Sequence, residues 1–274
     1  METHHHTADT LSLQEDSLLP GSKPVLELLR DAPEKVDLVL CRQKLSGKEI
    51  GLISELCRKH AIRFQRVADD LLDKICRRQG NQGCVAHQGL VARVRNFAFY
   101  SLETLLQELA KAPLPLLVAL DQVQDPGNIG TLARTLYSLG GAGLIVPMHN
   151  SARIGPAARR AAAGCLERLP IARVTNLGHA LDCCEEHGLC LYGASGHSQH
   201  AHDALTTPMQ LPAVLVLGNE ERGLRPEIAK RCSLLMIPHA RKFDSLNVAQ
   251  AGAILIGLCL ARQRNEKCSE KAEE

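Results

Sequence analysis

The chain has no tryptophan, and four phenylalanines and three tyrosines are its only aromatic residues. That inventory argues against a single-strand binder that grips bases on aromatic rings. Net charge is nearly absent as well: 32 Lys+Arg against 30 Asp+Glu leave +2, so bulk charge names no partner. No apolar run approaches the roughly 18–20 residues of a membrane helix. The longest candidate, residues 251–261, is broken by Gly252 and Gly257. The opening METHHHTADT lacks the basic-then-apolar pattern of a signal peptide. None of the 11 cysteines stands in a C-x-x-C pair, and their number is odd. Scattered through helix-like and strand-like segments, they read as reduced thiols, which predicts a cytoplasmic protein with no membrane attachment.

What is present is an ordinary globular composition, 45% hydrophobic and 23% charged over 274 residues, enough for one large or two modest domains. Residues 1–20 lack periodicity and end at Pro20-Gly21, so they read as a mobile tail; His4, His5 and His6 are incidental to it. Residues 21–97 alternate helical and strand-like patterns in a small α/β unit: helices near 24–29 and 51–60, strands at 36–40, 62–67, 85–86 and 90–94. Phe97, Phe99 and Tyr100 follow, read as packing at a domain junction, and residues 98–112 read as a linker helix closed by prolines.

From residue 113 to 274 the rhythm is βα. Strands are expected at 116–120, 144–146, 171–174, 189–193, 214–217 and 234–237, with helices between them and a last helix over 245–262. Continuous apolar strands separated by helices imply a parallel sheet covered on both faces. Ligands of such sheets sit beyond the carboxyl ends of the strands. The acidic end, 265–274, reads as a frayed tail.

The near-neutral whole hides a local imbalance. Between residues 40 and 95 there are 12 Lys+Arg against 5 Asp+Glu, a difference of +7. Arg58, Lys59, Arg63, Arg66, Lys74, Arg77 and Arg78 belong to this block, which can attract phosphates by counterion release. A solvated helix face is the bland alternative.

Three strings fall at strand ends. The first, DPGNIGTLART (125–135), turns at Pro126-Gly127, offers Asn128 as a helix cap, and carries Arg134 one and a half turns later. The second, LGNEERGL (217–224), sets two glycines five residues apart, which lets main chain approach a ligand. It is no phosphate loop, because Leu224-Arg225 stands where Lys-Ser/Thr is needed, and no G-x-G-x-x-G follows the first strand. The third, IPHARKFDSLNVAQA (237–251), places Ser245 and Asn247 at the start of the last helix, where unpaired N–H groups favour polar ligands.

In this order and spacing the three strings resemble the signature motifs of the SpoU/TrmH family of SPOUT RNA methyltransferases, and the likeness runs through 114–262. More weakly, GSKPVLELL and VAHQGLVARV resemble the ribosomal-protein-like substrate-binding domain of ribosomal-RNA members. The resemblance implies a small N-terminal α/β RNA-binding domain, a C-terminal parallel-sheet SPOUT domain with a trefoil knot, and a homodimer. It implies transfer of methyl from S-adenosylmethionine to a ribose 2′-hydroxyl. Main-chain groups of Leu217, Gly218, Ile237 and Leu246, with Asn219 and Gly223, would hold the cofactor. Arg134 matches the arginine tied to hydroxyl activation; since a guanidinium keeps its proton in proteins, it would serve a phosphate or the developing alkoxide instead. Asn128, Glu220, Ser245 and Asn247 match positions that orient ribose and cofactor. His239 replaces a more usual methionine and Glu221 a common glycine.

The substrate expected is 23S-type large-subunit ribosomal RNA at a guanosine, with transfer RNA as the rival and a non-catalytic RNA-binding assembly factor as the reading of another class. A metal enzyme is a third option through His197, His200 and His202, but these stand in a polar loop short of cysteine or acidic ligands, so no metal is expected. Cys183-Cys184 reads as helix packing.

Overall fold

The computed structural model describes residues 18–76, 87–94, 99–196, 198, 200–241 and 245–273, with side chains described as far as 265. The chain divides into two units, Met1–Asn96 and Phe97–Glu274.

The first unit runs β1 (Leu18–Pro20), α1 (Ser22–Asp31), β2 (Val36–Arg42), α2 (Lys48–Lys59), β3 (Arg63–Val67), α3 (Asp69–Cys76) and β4 (Leu90–Val94). The sheet order is β1-β4-β2-β3; β2 and β3 are parallel, while β4 runs antiparallel to β1 and β2. Strand alternation sends Val39 and Cys41 to one face, against Leu28, Leu29 and Ile53 of the first two helices. Leu38 and Leu40 go to the other, against Leu72 and Cys76 of α3. Residues 18–20 therefore form an edge strand, a correction to their reading as tail: Leu18 and Leu19 are buried and pair with Arg93 and Ala92. The strand expected at 85–86 and residues 77, 78 and 97 lie outside the described residues.

The second unit runs α4 (Leu102–Leu109), β5 (Leu114–Leu120), α5 (Pro126–Ser138), β6 (Gly141–Pro147), α6 (Pro156–Ala162), β7 (Ile171–Val174) and α7 (Leu177–Glu186). It continues with β8 (Cys190–Ala194), β9 (His202–Asp203), β10 (Ala213–Leu217), α8 (Pro226–Ala229), β11 (Ser233–Met236) and α9 (Val248–Glu273). All seven strands pair in parallel in the order β7-β6-β5-β10-β8-β11-β9. In β5, Leu116, Val118 and Leu120 meet α5, α6 and α9, while Leu117 and Ala119 meet α4, α7 and α8. Both faces are covered, which is why the strand runs are apolar without alternation.

The expected linker helix is a covering layer instead: Leu105 and Leu109 of α4 are buried in the core of this unit. The last helix begins at Val248 and continues to Glu273, so the segment expected to fray is helical. The nine described cysteines are free thiols; burial pushes those of Cys184 and Cys232 up to about 12, and Cys184 packs in the core as expected of it. No described helix is long and apolar enough to cross a membrane.

Candidate cofactor cleft and its three loops

The carboxyl ends of β8, β10 and β11 open onto a cleft of about 350 Å³, within the range of small-molecule sites. Leu217, Gly218, Asn219, Glu220, Gly223, Ile237, Ser245 and Leu246 all line it, bringing the second and third strings together. The turn after β8, with Ala194, Ser195 and Gly196, lines it too. That turn belongs to none of the three strings, and its place at a strand end is the signal that marks it.

The second string folds into a tight ring. Asn219 and Gly223 exchange main-chain hydrogen bonds of 3.0 and 2.9 Å, and Gly223 holds a left-handed φ of 69°. A Cβ on Gly218 would stand 2.3 Å from Gly223 C and 2.4 Å from Leu224 N. Glycine is required there by the loop's own closure. Asn219 Oδ1 accepts from the N–H groups of Glu221 and Arg222, both at 3.1 Å, and its Nδ2 donates to the Gln122 carbonyl at 2.9 Å.

Helix α5 is capped by Asp125, whose Oδ1 accepts from Gly127 N–H at 2.7 Å, with Pro126 at the first position. Asn128 is therefore not the cap. It lies in the first turn, 6% exposed, and bridges the three strings. Its Nδ2 donates to Glu220 Oε1 at 2.9 Å, and its Oδ1 accepts from Asn247 Nδ2 at 3.0 Å. Asn247 in turn caps α9, accepting from Ala249 N–H at 2.8 Å. Burial by itself would raise the Glu220 carboxyl; the Asn128 amide, its own N–H and those of Asp125 and Gln124 outweigh that and hold it below the usual range. At neutral pH Glu220 is a carboxylate clamped between two loops.

A second anchor holds the far end of the ring. Asp121, fully buried, accepts from Arg225 N–H at 2.8 Å and from its Nε at 2.7 Å. Arg134 stands exposed on α5, outside the cleft lining, and makes no hydrogen bond or ion pair among the described residues. Ser245 is exposed at the rim.

Chemistry remains for the cleft's main chain. Among the described residues the backbone groups of Gly218, Ile237 and Leu246 pair with no other backbone group. Apolar Leu217, Ile237 and Leu246 stand beside them. Flat apolar walls with unpaired N–H and C=O groups suit a purine.

In the first unit Arg58 and Lys59 are exposed at the C-terminus of α2, and Lys74 is exposed on α3. Arg63 and Arg66 are exposed on the edge strand β3, where alternation points them to opposite faces. The block is thus not one contiguous face. Arg66 Nη1 donates to the carbonyls of Gln43 and Leu45 at 2.8 and 2.9 Å, tying down the loop after β2. In the second unit Phe99 and Tyr100 are exposed, with the Arg173 guanidinium 5.2 Å above the Phe99 ring. His202 lies in β9 and His200 just before it; His197 is outside the described residues. Among the described residues no three histidines, cysteines or carboxylates are grouped to hold a metal ion.

A parallel α/β sheet with a cleft of about 350 Å³ at its carboxyl edge, carried in one chain with a basic α/β unit, has the architecture of a small-molecule-binding domain joined to a unit that can attract phosphates. The SpoU rRNA Methylase family profile matches residues 115–257, and the profile for RNA 2′-O ribose methyltransferase substrate binding matches residues 18–100. The 23S rRNA (guanosine-2′-O-)-methyltransferase RlmB of Escherichia coli is 32% identical over 252 residues, 90% of this chain and 99% of that protein. YacO of Bacillus subtilis, assigned to the TrmH family of tRNA/rRNA methyltransferases, is 29% identical over 248 residues, 90% of this chain and 95% of its own length. The structure of the SpoU methyltransferase AviRb of Streptomyces viridochromogenes in complex with AdoMet superposes with a TM-score of 0.69 at 26% identity, over 90% of this chain and 89% of that one. The chain belongs to the SpoU/TrmH family of RNA methyltransferases.

Proposed function

We propose that the protein transfers the methyl group of S-adenosylmethionine to a ribose 2′-hydroxyl, and that its substrate is a guanosine of large-subunit ribosomal RNA. The cleft carries the cofactor assignment: main-chain groups of Gly218, Ile237 and Leu246, without a backbone partner among the described residues, stand beside apolar walls and match an adenine's edge and face. The closed ring of residues 218–224, clamped by Glu220 and Asp121, fixes the main chain of Gly218 at the cleft. When bound, the cofactor supplies an electrophilic sulfonium methyl.

The protein's part is positioning and charge. Holding the hydroxyl in line with the methyl lowers the barrier by several kcal/mol (about 7–11 kcal/mol in the best-oriented cases). Arg134, exposed and without a protein partner among the described residues, is a cation available to a substrate phosphate or to the developing alkoxide. Because it lies outside the cleft lining of its own chain, the proposal includes a homodimer in which a second copy completes the site; light scattering reads the stoichiometry. Ser245 at the rim orients the ribose, and Glu220, Asn128 and Asn247 act by holding the loops.

Ribosomal RNA is favoured over transfer RNA by the substrate-binding match at 18–100 and by likeness to RlmB along nearly the whole of that enzyme. Arg58, Lys59, Arg63, Arg77 and Arg78 are the proposed phosphate contacts. The test offers the purified chain methyl-labelled S-adenosylmethionine with ribosomal or transfer RNA from a strain lacking the gene, and maps the label by nucleotide. Label in large-subunit RNA at a ribose is expected. Label confined to transfer RNA overturns the substrate, and cofactor binding without transfer to any RNA overturns catalysis.

A further inference from the structure

The carboxyl edge of the larger sheet carries a second hollow, of about 240 Å³, beyond the ends of β5, β6 and β7. Gln122, His149, Asn150, Thr175, Asn176 and Arg225 wall it. It adjoins the cofactor cleft. The Gln122 carbonyl accepts from Asn219 Nδ2, and Arg225 follows Leu224, which lines the cleft.

The chemistry of this wall is that of a nucleobase edge. Three carboxamides, an imidazole and a hydroxyl offer donors and acceptors side by side, and carboxamides pair with base edges in two-bond register. Among the described residues the side chains of Gln122, His149, Asn150 and Thr175 have no protein hydrogen-bond partner; Gln122 is half-buried and the other three are exposed, so their donors and acceptors are held only by solvent and are open to a ligand. Asn176 Oδ1 accepts from His179 N–H at 3.2 Å and its Nδ2 is left over. The wall's guanidinium is already matched: Arg225 Nε meets Asp121 at 2.7 Å, and its Nη1 meets Glu227 at 3.0 Å. A phosphate entering here would find the wall's one arginine already committed to two carboxylates, whereas a neutral base needs no free guanidinium. Gln122 and Asn150 also hold left-handed backbone, φ 61° and 54°. Glutamine gains nothing sterically from that conformation, and such positions concentrate at ligand clamps.

We infer that this hollow is a subsite for one unstacked nucleobase of the RNA substrate, held by its hydrogen-bonding edge. The inference rests on the RNA-methyltransferase reading and deepens it. Sequence-selective RNA recognition targets splayed-out bases, and a base held beside the cleft would fix which ribose meets the methyl group.

The test saturates the full chain with S-adenosylhomocysteine, closing the cleft to nucleosides. It then titrates guanosine, adenosine, cytidine and uridine, with inorganic phosphate and ribose 5-phosphate as comparators, by calorimetry. One nucleoside is expected to bind at about 1 mM, the range of a fragment-sized ligand, and neither comparator. Asn176→Asp keeps the acceptor that caps α7 and replaces the amide donor by a charged carboxylate oxygen; Thr175→Val removes the hydroxyl at no change of charge. Each should weaken that nucleoside about threefold to tenfold, as loss of one hydrogen bond does, with S-adenosylhomocysteine affinity unchanged. Binding of phosphate alone, binding of no nucleoside, or wild-type nucleoside affinity in both variants overturns the subsite. Failure of S-adenosylhomocysteine to bind overturns the cofactor reading instead, and the variant comparison still decides the subsite.

Discussion

Replacing Asn128 by aspartate keeps the shape of the clamp and inverts its electrostatics. The wild-type amide donates to Glu220 Oε1 at 2.9 Å; in Asn128→Asp two carboxylates face each other at that place. Relaxed to about 4 Å, two unit charges repel by about 4 kcal/mol at an effective dielectric of about 20. Partial exposure of Glu220 screens this to about 2 kcal/mol. Loss of the charge-assisted bond adds about 1.5–3 kcal/mol. A total near 4 kcal/mol lowers the melting temperature of a unit of this size by about 8–16 °C at pH 8.

The pH dependence carries the sharper sign. Wild-type Glu220 has a depressed pKa, so its contribution is full above the ordinary glutamate range and is lost only as pH falls through the folded value. In the variant the facing pair takes up a shared proton on folding, as neighbouring carboxylates do. Its folded pKa lies above the unfolded one, so stability is recovered as pH falls toward about 5. The assay is scanning calorimetry from pH 5 to 8 on both proteins, following the transition that S-adenosylhomocysteine shifts. A deficit that narrows markedly at pH 5 is expected. Parallel profiles with a constant deficit refute the idea that Asn128 works through the Glu220 charge.

Four further outcomes test other parts of the chain. Arg134→Ala should abolish methyl transfer in the labelled-RNA assay while S-adenosylmethionine affinity stays within about twofold, because the side chain is outside the cleft lining; an active variant sinks its assigned role. Gly218→Ala puts a Cβ against the Gly223–Leu224 main chain and should cost about 1–3 kcal/mol with at least tenfold weaker cofactor binding; unchanged calorimetric affinity would refute the closed ring. Arg58→Ala with Lys59→Ala should weaken RNA binding and reduce the slope of log affinity against log salt by about 0.9 for each phosphate no longer neutralised. Arg66→Ala should weaken binding with the slope preserved, since its guanidinium holds the Gln43 and Leu45 carbonyls; a slope change as large as that of Arg58→Ala would make Arg66 a phosphate ligand.

The larger sheet was legible because burial on both faces writes each strand as an unbroken apolar run, as in Leu114–Leu120 and Ala213–Leu217. The three loops were legible because strand-end position and residue type agreed. What escaped was set by distance along the chain. Asn128 looked like a cap; Asp125 before Pro126 was the local signal for the real one, but the Glu220 partner, 92 residues away, has no local trace. Gly218 looked open to a ligand, since nothing in a linear string reveals that its own loop closes over it. Helix α4 is short and ends near prolines, and only the buried sites of Leu105 and Leu109 distinguish a covering helix from a linker. Arg66 reads as a loose cation until its carbonyl partners are known. Strand β9, two residues long, is below any periodic signal.

The middle of the larger sheet joins β5 to β10, pairing Leu116 with Ala213. During synthesis β5 leaves the ribosome nearly a hundred residues before the strand that shields its free side. For that interval the nascent chain holds an open apolar edge, and its closure waits on late-made segments, the slow regime for non-local parallel pairing. The first unit, whose last strand pairs with its first within residues 18–94, can settle earlier. Order of emergence therefore gives the chain a folded basic unit before it has a cofactor cleft.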